Sequence, residues 1–292
     1  MSLNKDLTIV FVSFFSKNII EKPISQIPSD IPIIVVENSK DIELKKILEK
    51  KYQNVNVIVP ETNAGNGGGA NVGLRQANSK YVLYLDVDVE LNKATLEILY
   101  SYAKKLNDFS ILGPAIEGLN YKKKDYAQQS IYEKVHSMNF ITGCALFFNM
   151  KAMNEIGFFD ERIFLYYEET DLYLRSFKKN YKIYLIEDAK LKHHGNRSTD
   201  LIEKDLIEIN RNWHLMWSTF YFHKKHYGVF VAYKKTILKF FSAIIKYLIF
   251  LILQKKVKKN IYCARMSGVF NAAIGRKSWF RTNLNQSIEN KQ

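Results

Sequence analysis

The stretch YVLYLDVDVEL, residues 81–91, places two aspartates directly after a run of apolar residues. The apolar run at 81–85 is typical of a strand that helices cover on both faces. Because alternate side chains of a strand point the same way, Asp86 and Asp88 can converge on one hard cation. Ligands of open α/β sheets bind where such strands end. The pair therefore predicts a Mg²⁺ or Mn²⁺ site, although two solvated loop acids would give the same pattern.

Strand-like and helix-like segments alternate on both sides of this stretch. Apolar, β-branched runs predict strands at 7–14, 33–36, 55–59, 81–85, 140–149 and 183–186. Helical spacing of apolar residues predicts helices at 42–51, 70–79, 94–106 and 172–179. Short buried strands separated by helices indicate an α/β fold, with a mostly parallel sheet flanked by helices.

The glycine-dense stretch NAGNGGGANVGLRQA, residues 63–77, contains Gly65-x-Gly67-x-x-Ala70, the outline of a dinucleotide-binding fingerprint. An NAD site needs these glycines directly after a strand and one acid for the ribose. Here residues 60–64 intervene, and the acid is the pair Asp86 and Asp88. These two features argue against an NAD site, and the local pattern favours the alternative, a glycine-rich helix entry in a surface loop.

A second acidic cluster lies in FFDERIFLYYEETDLYLR, residues 158–175. Asp171 can pair with Arg175 one helical turn later. Glu168 and Glu169 follow the apolar run 163–167, and a carboxylate against an apolar wall can act as a base near neutral pH. Downstream, the tandem histidines His193 and His194 suggest one metal ligand and one neighbour, because only one side chain can face the site.

In this order, the pieces resemble the inverting glycosyltransferases of family 2, which have the GT-A nucleotide-diphospho-sugar transferase fold, and are most similar to their bacterial rhamnosyltransferase-like branch. The resemblance spans roughly residues 7–225. Glu37 stands where an aspartate is usual, and Val-Ser-Phe-Phe at 12–15 replaces Val-Thr-Tyr-Asn. The matching positions are Val36-Glu37-Asn38-Ser39, Asn63, Gly65, Asn71, Gly73, Asp86, Asp88, Gly143-Cys144-Ala145, the motif from Gly157 to Arg175, and His193 or His194 with Ser198.

The resemblance implies transfer of a sugar from a UDP- or dTDP-sugar, such as a rhamnose donor, to a hydroxyl of a cell-surface polysaccharide or lipid-linked saccharide, with inversion. Glu169 would be the base, with Glu168 and Asp171 positioning the acceptor or the loop. The implied metal ligands are Asp86, Asp88, His193 and His194. A non-catalytic nucleotide-sugar-binding or scaffold protein could share this fold. The implied donor-binding residues are Ser13, Glu37, Asn38, Asn63, Gly65, Asn71, Asp86 and Gly143.

Charge divides the chain into an expected catalytic domain, residues 1–209, and a helical basic extension, residues 210–292. The formal net charge is +14, and the extension holds 16 lysines and arginines with one acid, Glu289. Such a region faces an anionic partner. Aromatic and basic residues alternate at 211–228, but no recognised nucleic-acid motif accompanies them, so no nucleic-acid partner is expected. Two cysteines fit a reducing, cytoplasmic compartment.

The apolar stretch 237–253 within the extension is shorter than the roughly 20 residues that a membrane span needs, and it contains Lys239 and Lys246. On a helix Lys235, Lys239, Ser242 and Lys246 share one face. We therefore expect a helix in the interface of an anionic membrane, with the protein peripheral on the inner face of the cell membrane. A helix packed on protein, with solvated lysines, is the alternative. The oligomeric state is not indicated.

Overall fold

The computed structural model describes residues 3–127, 133–195, 199 and 204–281. The chain forms two compact units, one of Met1–Phe159 with Glu169–Asp200 and the other of Asp160–Glu168 with Leu201–Gln292. The later boundary between the units lies between Asp200 and Leu201. The division at residue 209 into a catalytic domain and a basic extension stays a prediction. In addition, the short segment 160–168 groups with the C-terminal helices.

The first unit is the α/β domain that the sequence predicts. Its strands are β1 (Leu7–Ser13), β2 (Ile33–Glu37), β3 (Val55–Ile58), β4 (Tyr81–Leu85), β5 (Val89–Glu90), β6 (Phe109–Ile116), β7 (Val135–Ser137), β8 (Ala145–Asn149) and β9 (Lys182–His193). Its helices are α1 (Leu3–Asp6), α2 (Glu21–Ser25), α3 (Ile42–Lys51), α4 (Gly65–Gln76), α5 (Lys93–Lys105), α6 (Met150–Ile156) and α7 (Glu168–Lys178), the last beginning in the second unit.

The sheet order is β3-β2-β1-β4-β8-β6-β9-β5, with β7 also paired to β9. The first four strands in this order are mutually parallel, as predicted, and β6 is parallel to β9. Strand β8 is antiparallel to both of its neighbours, so the sheet is mixed in its second half. This reversal brings the start of β8 to the same edge as the ends of β1, β2 and β4.

Close packing of α4 on the sheet explains two glycines of the stretch, Gly69 and Gly73. A Cβ atom at Gly69 would lie 2.8 Å from Asn38 Nδ2 and 2.9 Å from Val12 Cγ1, so only glycine permits this approach. Gly73 likewise lies against Val10 of β1. Helix α4 begins at Gly65 rather than at the predicted residue 70, because tertiary packing overrides the low helix propensity of glycine.

Two other elements differ from their predicted bounds. Strand β8 begins at Ala145 rather than at residue 140, and Phe140 is exposed. Strand β9 runs to His193 rather than ending at residue 186. Its pairing with β6 shifts register after Pro114, which marks a bulge at residues 187–189. The bulge interrupts the alternation of apolar residues, and this hid the second half of the strand from pattern reading.

The second unit contains three long helices, α8 (Lys204–Tyr227), α9 (Val229–Ile252) and α10 (Lys256–Ala273). Its apolar core includes Trp213, Trp217 and Phe220 of α8. Helices α8 and α10 approach closely at Gly268. A Cβ atom at this position would lie 2.4 Å from the carbonyl oxygen of Trp213. Among the helices of the described ranges, none is long and apolar enough to cross a membrane.

Candidate active site

Polar side chains follow three neighbouring parallel strands. Ser13 ends β1, Glu37 ends β2, and Asp86 directly follows β4. The antiparallel strand β8 adds its start to this edge, because Leu85 pairs with Ala145 and the Asp86 N–H donates to the Cys144 carbonyl at 2.9 Å. The predicted donor residues Ser13, Glu37, Asp86 and Gly143 therefore lie along one edge of the sheet.

Asp86, Asp88 and His193 form a group that could hold a metal ion. One ligand atom from each lies within 4.8 Å of the others, and Asp88 is buried. His193 Nε2 lies 3.3 Å from Asp88 Oδ1. Strand β9 positions the histidine, because its last residue, His193, pairs with Val89 of β5 next to Asp88. Two carboxylates and an imidazole suit a divalent cation such as Mg²⁺ or Mn²⁺.

The tandem histidines face different partners, as strand alternation requires. His194 Nε2 lies against the Glu90 carboxylate, which also accepts from Lys22. The backbone N–H of His194 donates to the Asp88 carbonyl at 3.1 Å. Of the two predicted metal ligands, the structure thus brings His193 to the aspartates and places His194 in an ion-pair cluster beside them.

Electrostatics of the group fit a cation. Burial raises the pKa of Asp86 to about 6, with a further contribution from the negative charge of Asp88. The hydrogen bond with Asp88 raises the pKa of His193. Carboxylates that resist ionisation when close together are stabilised by a bound divalent ion, which cancels their mutual repulsion.

The Glu169 carboxyl group lies against the backbone of Gly143. A Cβ atom at position 143 would lie 2.8 Å from the carboxyl carbon and 2.9 Å from Cγ of Glu169. The adjacent Cys144 thiol has a raised pKa, caused mainly by burial, with contributions from the charges of Asp86, Asp88 and Glu169. Glu169 and the aspartate pair therefore lie near the same short segment, Gly143-Cys144, although they are far apart in sequence.

The other two predicted catalytic carboxylates, Asp171 and Glu168, are both buried. Asp171 is fully buried and accepts from Arg175 Nε at 2.8 Å. Arg175 also donates to the carbonyls of Ile156, Gly157 and Phe158, so this pair holds the loop before the motif. Glu168 is buried and belongs to the second unit.

The residues directly before Glu168 have an unusual backbone. Tyr166 and Tyr167 both have left-handed φ angles, +67° and +72°. Such a conformation is rare for tyrosine and costs roughly 1–2 kcal/mol for each residue. Within the second unit the Tyr167 ring packs on Phe222, with ring centroids 5.0 Å apart. This packing helps to hold the strained turn.

The predicted donor residues after β2 and β3 form a connected network. Buried Asn38 donates to the Gly65 carbonyl at 3.0 Å, and Asn63 accepts from the Gly65 N–H at 2.9 Å. Glu37 accepts from the backbone N–H and the hydroxyl of Ser39. Burial raises the pKa of Glu37. These bonds fix the loop at the start of α4.

Asn71 is placed differently from the other predicted donor residues. Its amide is buried and makes two hydrogen bonds of 2.9 Å with the backbone of Phe159, one as donor and one as acceptor. The structure thus uses Asn71 to hold the chain before the second acidic cluster.

Sequence reasoning overlooked Tyr84. Its hydroxyl lies 3.0 Å from Asp86 Oδ1 and 2.9 Å from Asn66 Oδ1, so it orients the first aspartate of the pair. The signal was present, because residues two apart on a strand share a face. Ser198, which belonged to the predicted set, lies outside the described residues.

A mixed sheet with paired aspartates at its carboxyl edge and a histidine from the last strand defines a nucleotide-diphospho-sugar transferase of the GT-A class. The chain belongs to glycosyl transferase family 2, whose model matches residues 17–167.

Curated relatives and a solved structure agree with this placement. The chain is 26% identical over 198 residues to the low-salt glycan biosynthesis hexosyltransferase Agl10 of Haloferax volcanii, covering 61% of this chain and 64% of that protein. It is 20% identical over 219 residues to the N-acetylglucosaminyl-diphospho-decaprenol L-rhamnosyltransferase of Mycobacterium tuberculosis, covering 61% and 69%. The mannosyltransferase PcManGT from Pyrobaculum calidifontis, solved with GDP-Man and Mn²⁺, superposes with a TM-score of 0.56 at 11% identity, covering 91% and 86%.

Proposed function

We propose that the chain is a metal-dependent, inverting glycosyltransferase. It moves a sugar from a nucleoside-diphosphate donor, a UDP- or dTDP-sugar such as a rhamnose donor, to a hydroxyl of a cell-surface polysaccharide or a lipid-linked saccharide. The observation that carries the proposal is the approach of the Glu169 carboxyl group to Gly143, whose neighbour Cys144 accepts a hydrogen bond from the Asp86 N–H. A cation-binding pair beside a separate carboxylate is the arrangement that a single displacement requires.

The reaction needs a proton acceptor on one side of the sugar. We assign this role to Glu169, because Gly143 leaves room for its carboxyl group close to the aspartate pair. The acceptor oxygen bonds to the anomeric carbon, its proton passes to the Glu169 carboxylate, and the bond from that carbon to the diphosphate oxygen breaks. Attack opposite the leaving group inverts the anomeric configuration.

The departing diphosphate gains negative charge, which must be offset. Asp86, Asp88 and His193 would hold a Mg²⁺ or Mn²⁺ ion. That ion would supply the positive charge at the leaving group. The loop that Asn38 and Asn63 fix would hold the rest of the donor, together with Ser13 and Glu37.

The relatives support the choice of substrates. One relative is described as a hexosyltransferase of glycan biosynthesis, and another as a rhamnosyltransferase acting on a diphospho-decaprenol substrate. A lipid-linked acceptor would be met at a membrane, and the lysine-rich C-terminal helices suit an anionic membrane surface. We therefore place the protein at the inner face of the cell membrane.

A panel of UDP-, dTDP- and GDP-sugars, titrated by calorimetry with Mn²⁺ and with EDTA, tests the proposal. We expect one donor class to bind only with Mn²⁺, and Asp88→Ala to abolish that binding. NAD serves as a negative control, because residues 59–64 separate β3 from α4, whereas a dinucleotide fingerprint needs its glycines directly after a strand.

Hydrolysis or transfer of the bound donor then separates an enzyme from a non-catalytic sugar-nucleotide-binding protein. Binding without any turnover, with saccharide and lipid-linked acceptors supplied, would leave the binding protein as the better description. Donor binding that is equal in Mn²⁺ and EDTA would refute the metal site.

A further inference from the structure

Helix α9 presents an apolar surface to solvent that is interrupted at the exposed Lys234, between Phe230 and Leu238. The side chains recur every three or four residues over its last four turns and therefore lie on one face of the helix. Phe230, Leu238 and Ile252 are 87%, 78% and 80% exposed, values that are unusual for large apolar residues. The apolar stripe consists of Phe230, Leu238, Phe241, Ile245, Leu248 and Ile252.

The helix uses a different and narrower side to pack within the second unit. Its buried residues are small, namely Ala232, Thr236 and Ala243. The large side chains of the apolar stripe are thus not the ones that hold the helix in place, whereas Phe240 and Phe250, which lie outside the stripe, do pack within the unit. A helix that only completed a protein core would bury these large side chains.

Lysines lie between these two sides of the helix. Lys235, Lys239 and Lys246 each follow a packed residue by three positions, which places them on the adjacent face. Leu238 in turn follows Lys235 by three positions. The order around the helix is therefore packed side, lysine stripe (Lys235, Lys239 and Lys246), then apolar stripe.

This order selects one kind of partner. Helices α9 and α10 contain lysines and one arginine but no acid, so a second copy on this face would oppose like charges. A nucleic acid would complement the lysines but would gain nothing from exposed leucine and isoleucine. An anionic bilayer complements both, with lysines at the headgroups and apolar side chains in the acyl region.

We infer that α9 is the membrane-binding element of this protein and lies parallel to an anionic bilayer, with the apolar stripe inserted. The insertion reaches about 5–10 Å, to the boundary between headgroups and acyl chains. Lys234 and the lysines after the helix, Lys255 and Lys256, are exposed and meet the headgroups along the same surface. This inference rests on the proposed membrane location and names the side chains responsible.

Flotation with vesicles of equal parts phosphatidylglycerol and phosphatidylcholine tests the inference. We expect wild type to float with these vesicles and not with phosphatidylcholine alone. The double variant Leu238→Glu, Ile245→Glu should bind at least roughly 10²-fold more weakly, because each buried leucine or isoleucine is worth about tenfold. Ile42→Glu, at an exposed isoleucine of α3, is the matched control and should bind as wild type does.

The lysine stripe provides an independent arm. Replacing Lys235, Lys239 and Lys246 with glutamate should release the protein from the anionic vesicles, and added salt should weaken wild-type binding. Failure of wild type to float, or equal flotation of wild type and the double variant, would overturn the inference. So would a wild-type dimer in sedimentation velocity that the double variant converts to monomer.

A spectroscopic readout avoids dependence on folding of the charged variants. Leu238→Cys in a Cys263→Ala background carries an environment-sensitive dye, since Cys263 is exposed and Cys144 is buried. Emission should shift to the blue with anionic vesicles, whereas a dye at Ile42→Cys should not respond. Turnover on a soluble acceptor is measured in parallel, so loss of catalysis and loss of membrane binding are told apart.

Discussion

The Glu169 carboxyl group occupies the space that a side chain at Gly143 would fill. The two residues come from different elements, the loop before β8 and the first turn of α7, and they meet beside the aspartate pair. Glycine at position 143 therefore sets how close the proposed base can come to the donor site.

Gly143→Ala should displace the Glu169 carboxylate with little loss of stability, because the atoms in the way are the far end of a flexible side chain. A misplacement of about 1 Å can cost roughly 10²-fold in rate, so we expect kcat for transfer to fall by about that factor. The melting temperature and the donor KM should stay near wild type. A kcat equal to wild type would show that the position of Glu169 is unimportant.

Glu169→Gln preserves the shape of the side chain and removes its basicity. Transfer should fall by about 10²–10⁴-fold, the usual contribution of a general base, while donor affinity persists. Glu161→Gln changes an exposed carboxylate of the same motif and serves as the control. Should Glu169→Gln retain full transfer, Glu168→Gln is the next variant to measure.

The tandem histidines should differ in their contribution to metal binding. His193→Ala removes the proposed third ligand beside the aspartate pair and should weaken Mn²⁺ affinity by at least roughly tenfold in calorimetry. His194→Ala disrupts the cluster with Glu90 and Lys22 and should leave Mn²⁺ affinity nearly unchanged. The reverse result would assign the ligand to His194.

The raised pKa of Asp86 makes a prediction for the metal-free protein. The folded state keeps the proton up to about pH 6, whereas the unfolded chain releases it near the ordinary value of 3.8. The folded state therefore loses stability as pH rises through this interval. The interval corresponds to at most about 3 kcal/mol, and partial solvent access reduces this to roughly 1–3 kcal/mol.

Asp86→Asn removes that penalty. In EDTA, chemical denaturation should find the variant more stable than wild type by roughly 1–3 kcal/mol near pH 8, with the difference vanishing near pH 4. Mn²⁺ should stabilise wild type near pH 8 and not the variant. A variant that is less stable than wild type at both pH values would contradict the buried-carboxylate account.

Much of the fold follows from the sequence, because its signals are local. Tyr81–Leu85 is a continuous apolar strand, and Ile42–Lys51 has helical spacing of its apolar residues, so both were predicted with their observed bounds. Helix α4 was predicted too short, since its start is rich in glycine, and the packing that requires Gly69 involves the distant residues Val12 and Asn38. Strand β9 was also predicted too short, because its bulge interrupts the alternation of apolar residues.

The candidate site also has features that local sequence patterns predict and features that they do not. Asp86 and Asp88 can be recognised from strand alternation. The long motif that contains Glu169 can also be recognised, because it is one continuous segment. The approach of Glu169 to Gly143 depends on the antiparallel placement of β8, which no local pattern encodes. Whether His193 or His194 faces the aspartates depends on the register of β9 after its bulge. From the sequence, strand alternation shows only that one of the two histidines can do so.

The two tyrosines before Glu168 have a consequence for how this protein could be stabilised. Glycine at Tyr166 or Tyr167 would adopt the left-handed backbone freely and relieve the local strain, yet at position 167 it would also delete a ring that packs on Phe222. Substitutions at this turn should therefore raise the stability of the protein. The same substitutions should leave the residues that lead into α7 less firmly held. Local frustration is retained next to the proposed base, where a compromise between stability and activity is expected.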